Sequence, residues 1–202
     1  MACLGAAALR LVGGEPTSSS SGPVGAFVSG GPSVPVAAAG PRASTTPVRA
    51  NDDLSRVCEG WYYPAAPRYA GRAPHPISVG VRDQPSETSH RIKAAVEVPY
   101  TVEEKVRSAW TPAPAKAQLV ACVTLIRTGA AVKKCPGVSV VRAVHSLAVH
   151  EVATGRKLLD KQLDGDVLRC PNAVPLGTGG TVPAAVSDRR LYAQLSRLVM
   201  KK

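Results

Sequence analysis

Cys58, Cys122, Cys135 and Cys170, together with His145 and His150, are the side chains here with the greatest capacity for chemistry; a fifth cysteine, Cys3, lies near the start. Thiols and imidazoles can hold zinc, run nucleophilic catalysis, or be withdrawn from chemistry as disulfides. Spacing discriminates among these. Cys122 and Cys135 are separated by twelve residues, where a zinc finger has roughly two to four. His145 and His150, five apart, fall on opposite faces of a strand. A cysteine hydrolase needs one thiol held beside a histidine, and no local context picks one of the four out.

Other catalytic signatures are incomplete. "PGVSVV" lacks the second glycine of a nucleophile elbow. "HEVATG" starts like a zincin motif but has no second histidine at the required spacing, and "LGTGGT" lacks a phosphate-loop lysine. Asp160, Asp164 and Asp166 in "LDKQLDGD" do not have EF-hand spacing and read as a solvated turn. The sequence thus predicts no catalytic residue, no cofactor and no metal. A cysteine-dependent enzyme is carried as an alternative, and it requires a reactive low-pKa thiol among residues 58–170.

Disulfides are the remaining use for the cysteines, and an even number in the folded part fits an oxidised, extracytoplasmic domain. Buried free thiols of a cytosolic protein give the same count. In "LVACVTLIRTGAAVKKC", residues 119–135, a two-residue loop at Thr128-Gly129 sets Cys122 directly opposite Cys135. That is a non-hydrogen-bonded pair, whose Cα separation of ~4.5 Å suits a disulfide. Thr128 is a poor residue for the positive φ of such a turn, and a three-residue loop would offset the cysteines. If 122 and 135 pair, Cys58 and Cys170 are left to close a loop of roughly 110 residues. The other pairings remain open.

The chain of 202 residues suits one domain with a tail. Its aromatic content is only 4%, with a single Phe, so Val, Leu, Ile and Ala must fill the core and base-stacking platforms are scarce. A formal charge of +11 and a pI near 9.8 attract polyanions, and the partners expected are an acidic polymer, an anionic membrane surface or a partner protein, with nucleic acid as a further polyanion. Nucleic-acid binding inside the cell is the other alternative, disfavoured because no helix-turn-helix, finger or aromatic-sheet motif accompanies the charge.

Three regions follow from composition. Residues 1–14 form an apolar stub, too short to span a bilayer, that reads equally as the remnant of a signal or membrane segment and as a plain apolar N-terminus. Residues 15–50 are a Pro/Gly/Ser/Ala linker, expected to be disordered because it cannot bury enough apolar surface. Residues 51–202 form the domain. It opens on an irregular, aromatic-rich stretch, "DLSRVCEGWYYPAAPRYAG", expected to cap a small core.

Within it, "HPISVGVRD" and "RIKAAVEV" alternate as half-buried strands, and "AQLVACVTLI" is apolar on both faces, as a central strand is. "TVEE" offers Thr101 and Glu104 as a capping box for a short helix near 101–110. "VSVVRAVHSLAVHEVATGRKLLDKQL" reads as a second hairpin turning at Thr154-Gly155, with Val149 facing Leu159 and Glu151 facing Lys157. The last element is an amphipathic helix capped by Ser187, with Leu191, Leu195 and Leu198 on its apolar stripe. Arg189, Arg190 and Arg197 lie opposite, followed by Lys201 and Lys202, and these five are the candidate polyanion-binding residues.

The set formed by Cys58 with "WYYP" at 61–64, "HPISV" at 75–79, "QLVACV" at 118–123, Cys135, "HEVATGRKL" at 150–158 and Cys170-Pro171 resembles a group of uncharacterised actinobacterial proteins. Their folded part sits outside the cell behind an N-terminal membrane or signal segment. The resemblance covers most of residues 55–200. It implies an extracytoplasmic location, secreted or anchored at the surface, with a four-cysteine framework, and implies no chemistry. The fold expected is α+β: an antiparallel sheet built from two hairpins, a capped short helix and a C-terminal amphipathic helix. The function expected is a non-enzymatic binding or interaction module of the cell envelope.

Overall fold

A computed structural model describes residues 40–84, 86–173 and 179–201. The stub at 1–14 and most of the 15–50 linker lie outside them. The fold starts earlier than composition suggested. Strand β1 (Arg42–Ala43) pairs parallel with β2 (Trp61–Tyr62), and Val48 is buried at 4% exposure. The short pairing at Arg42 and the insertion of Val48 recruit residues that composition alone assigned to linker.

Between them lies helix α1 (Asn51–Val57), in the stretch expected to be irregular. Only Leu54 and Val57 carry an apolar stripe, too little to register as periodicity. The Asp53 carboxylate accepts the Arg49 and Ala50 backbone N–H groups at 2.8 and 3.0 Å, so the helix start is closed from within.

The main sheet contains β3 (Ile77–Arg82), β4 (Arg91–Ile92), β5 (Leu119–Cys135), β6 (Val138–Glu151), β7 (Lys157–Asp164) and β8 (Thr181–Pro183), ordered β4-β3-β5-β6-β7 with β8 also on β6. It is mixed rather than purely antiparallel: β3 pairs parallel with β5, and β8 parallel with β6. Two hairpins, β5–β6 and β6–β7, do form its centre. Of "RIKAAVEV" only Arg91–Ile92 is strand, paired with Val81 and Gly80 of β3, and one further hydrogen bond from the Lys93 N–H to the Val79 carbonyl ends the pairing. Helix α2 spans Glu104–Ser108 with no side-chain cap; Glu103 holds the N-cap position expected of Thr101.

The first hairpin turns at Pro136-Gly137, where Cys135 pairs with Val138 and Gly137 takes φ 71°. Proline fixes the first central residue and glycine supplies the positive φ of the second, a better turn chemistry than Thr128-Gly129. Cys122 and Cys135 therefore sit at opposite ends of one strand, about 40 Å apart at the usual rise, and cannot bond. The bridges are Cys58–Cys122 and Cys135–Cys170. In the second hairpin Val149 faces Leu159 as expected, but a bulge after Val149 sets Lys157 opposite His150. Glu151 pairs instead with Arg156 at 3.2 Å.

The last helix, α3 (Asp188–Val199), follows the sequence expectation, with the Ser187 Oγ accepting the Arg190 N–H at 3.2 Å. Leu191, Leu195 and Val199 are fully buried, Val199 taking the place on the stripe expected of Leu198. They pack with Ile77, Val79, Leu119, Ala121, Val123, Leu147 and Trp110 on one face of the sheet. The other face is covered by Val48, Leu54, Val57 and Tyr63 against Val120 and Cys122. Strand β5 is apolar on both faces up to Val123 because both layers meet there.

Candidate functional site

Helix α3 presents Arg189, Arg197 and Lys201 to solvent and leaves Arg190 half-buried, while Lys202 lies outside the described residues. None of the four described side chains forms an ion pair among the described residues. The N-terminal end of this helix is already neutralised. Asp188 binds Lys93 Nζ at 2.6 Å, and Asp166 accepts the Ser187 N–H at 2.7 Å. Its C-terminal end is clamped by the Tyr69 hydroxyl, which donates to the Leu198 carbonyl, and by the His75 backbone N–H, which donates to the Val199 carbonyl. Arg189 borders a recess of about 500 Å³ in which Lys93, Arg169 and Arg189 are matched by Glu97, Asp166 and Asp188, so that the recess at this end of α3 carries no net charge.

A concave basic site lies elsewhere. Strand β3 runs beside β5 only to Thr124, and beyond it Ile126 to Lys134 are exposed while the strand continues against β6 alone. This β5–β6 arm is backed by β8 along Ser139–Val141, and Cys135–Cys170 ties its tip to the segment after β7. Against the arm is a cleft of about 530 Å³ whose lining includes Arg127, Arg142, Val132, Val144, Leu168 and Asp164. The would-be Cβ of Gly129 lies 3.4 Å from the Arg142 Cβ, so the absence of a side chain at 129 keeps the space above Arg142 clear. Val132 and Leu168 are 38% and 47% exposed, giving the cleft an apolar rim.

Arg127, Lys133, Lys134 and Arg142 form no ion pair among the described residues. Two guanidinium forks at an apolar-rimmed cleft suit carboxylate or phosphate groups carried on an aliphatic or peptide chain. Asp164 offsets part of that charge. None of these arm residues was among the five singled out by sequence. The signal was available, because Lys105 to His150 contains seven basic residues and no acidic one.

The buried ionisable groups serve the fold. The Glu151 carboxylate is 4% exposed and accepts from the Tyr69 N–H at 3.0 Å, the Thr154 hydroxyl at 2.9 Å and the Arg156 guanidinium at 3.2 Å. Burial pushes its pKa up, but these donors outweigh burial and hold it below the usual value. His90 is 6% exposed, with Nε2 2.8 Å from the Thr124 hydroxyl. Burial, and then the Arg82 charge, bring its pKa down to about 4. His145 Nε2 donates to the Ala184 carbonyl at 3.0 Å, on the sheet face opposite to that of His150, which meets the Gly155 carbonyl.

Among the described residues no three His, Cys, Asp or Glu side chains gather to hold a metal ion, and no helix is long and apolar enough to cross a membrane. Comparison of the chain with known protein families, with curated proteins and with solved structures yields no match.

Proposed function

We propose that the protein is a non-enzymatic binding module of the cell envelope, working in an oxidising extracytoplasmic compartment, and that its β5–β6 arm captures an acidic partner. The observation that carries this reading is the pair of guanidiniums, Arg127 and Arg142, which form no ion pair among the described residues and stand at an apolar-rimmed cleft on an arm anchored by a disulfide. Both cysteine pairs are bonded, which favours an oxidising compartment and leaves none of the four thiols free for the cysteine-enzyme alternative. The absence of acidic residues from Lys105 to His150 biases the field of the arm towards positive, with Asp164 of the neighbouring strand as the offset.

The test is titration of the full, oxidised chain with polyglutamate and with polyphosphate. An Arg127→Glu, Arg142→Glu double variant should lose about tenfold or more in affinity, since each removed charge-assisted contact is worth roughly 1.5–3 kcal/mol. An Arg189→Glu, Arg197→Glu variant should lose much less. The reverse ranking would move the binding surface to α3, and equal affinities for all three proteins would remove the arm as a site.

A further inference from the structure

We infer that the open edge of β5, from Arg127 to Lys134, accepts an extended acidic segment of a partner protein as an added strand; this rests on the binding-module reading above and names its mode and ligand class. Each strand offers hydrogen-bonding groups on two sides. On one side β5 pairs with β6 from Leu119 to Cys135 with three register shifts, whereas on the other β3 accompanies it only from Leu119 to Thr124. From there to the tip, among the described residues, no strand pairs with the second side, so its N–H and C=O groups face solvent. That is the geometry into which peptides add as strands.

Three features separate this edge from a fraying hairpin. Strand β6 behind it is itself bonded to β7 from Val144 to His150 and to β8 from Ser139 to Val141, so the edge belongs to a backed sheet. Cys135–Cys170 fixes the tip, which lowers the ordering cost of binding. The side chains along the edge are of one sign, with Arg127, Lys133 and Lys134 framing Ala130, Ala131 and the 38%-exposed Val132.

Charge and regularity select the occupant. A second copy of the chain would bring Arg127, Lys133 and Lys134 against themselves, and like charges on facing strands are destabilising. An acidic strand reverses that sign at each of these positions. Register shifts at Leu125/Arg127, Thr128/Ala131 and Ala131/Lys133 break the edge into short regular stretches. They leave regular runs of only two or three residues, Arg127–Thr128 and Lys133–Cys135, which excludes a long flat strand of the kind that propagates into fibres and admits only a short added segment. Acidic side chains near Arg127 and Lys133, with small apolar ones between, would complement it.

The deciding experiment uses the full, oxidised chain and four probes: the peptide acetyl-Glu-Val-Glu-Thr-Glu-Val-amide, the same peptide N-methylated at its odd residues, the same peptide N-methylated at its even residues, and polyphosphate. Strand addition requires that the unmodified peptide bind and raise hydrogen-exchange protection between Ile126 and Lys134. It also requires that one N-methylated set bind about tenfold or more weakly while the other binds as the parent does, because only alternate N–H groups face the protein. Equal binding of all peptides would overturn strand addition and leave the charged arm in place, as would binding of polyphosphate without the peptide. Binding of neither probe would overturn the arm reading itself. Concentration-dependent dimerisation with protection of the same edge would show that the occupant is a second copy, and would overturn the proposal.

Discussion

Two glycines show how closely backbone elements approach at this arm. At Gly165 an added Cβ would lie 1.8 Å from the Ala184 carbonyl oxygen, while the Gly165 N–H donates to Ala143 at 2.9 Å. The obstacle is backbone, so Gly165→Ala should cost about 2–3 kcal/mol in chemical denaturation. Gly129→Ala, meeting only the Arg142 Cβ at 3.4 Å, should stay within about 0.5 kcal/mol. Equal costs would mean that the Ala184 backbone can move away from Gly165. His90 makes a pH prediction. Its imidazole is held neutral, with a pKa of about 4 against 6.5 for a free histidine. As pH falls below 6.5 the unfolded chain takes up a proton here that the folded protein refuses until about pH 4. Stability therefore declines across that window, by on the order of 2 kcal/mol at pH 5. His150, lowered first by its burial, contributes in the same direction. Asp53 and Glu151 have lowered pKa values, so the stability they contribute is lost only at more acid pH. Denaturation midpoints at pH 7.5 and 5 should differ clearly in the native protein and much less in His90→Phe; an identical pH slope in both would refute the assignment to His90.

Among the elements, α3 depends on a cap with two roles. The Ser187 hydroxyl accepts the Arg190 N–H and donates to the Asp166 carboxylate at 2.6 Å, coupling the helix start to the segment after β7. Ser187→Ala should cost about 1–2 kcal/mol, and Ser187→Asp less than Ala if capping alone matters, but more if repulsion from Asp166 dominates. Comparing the two variants by thermal unfolding separates the roles. This helix was legible because its cap and its leucine spacing are local. The β6–β7 hairpin was legible for the same reason, through Thr154-Gly155 and the Val149–Leu159 pair. The parallel pairing of Ile77–Arg82 with Leu119–Thr124 was not, since no short-range pattern specifies a partner so far along the chain. Helix α1 has too few apolar positions to show a period. The first hairpin was misplaced because Thr128-Gly129 was weighed without Pro136-Gly137, and the cysteine pairing inherited that error. The proposed arm surface is less legible than the basic face of α3, because the acid-free run from Lys105 to His150 spans several elements whereas the arginines of α3 share one helix.

For the whole molecule, the two bridges divide the work. Cys58–Cys122 fastens the end of α1 to the centre of the sheet, in space left by Gly80, whose would-be Cβ lies 3.3 Å from the Cys58 sulfur. Cys135–Cys170 fastens the arm. With sequence separations of 64 and 35, chain entropy gives each bridge about 4 kcal/mol, an upper figure. Their removal should have different consequences. Cys58→Ala with Cys122→Ala should lower the stability of the entire domain, because it opens the second core around Leu54, Tyr63 and Val120. Cys135→Ala with Cys170→Ala should leave exchange protection in the sheet centre near native, while residues 126–143 lose protection and acidic ligands bind more weakly. Uniform loss of protection in both variants would show that the arm is no separate unit. Peptide mapping of protein from its native compartment should find the 58–122 and 135–170 linkages and no alkylatable thiol among these four positions. A free thiol there would contradict an oxidising compartment, and a 122–135 linkage would require the first hairpin to turn at Thr128-Gly129, unmaking the exposed edge on which strand addition depends.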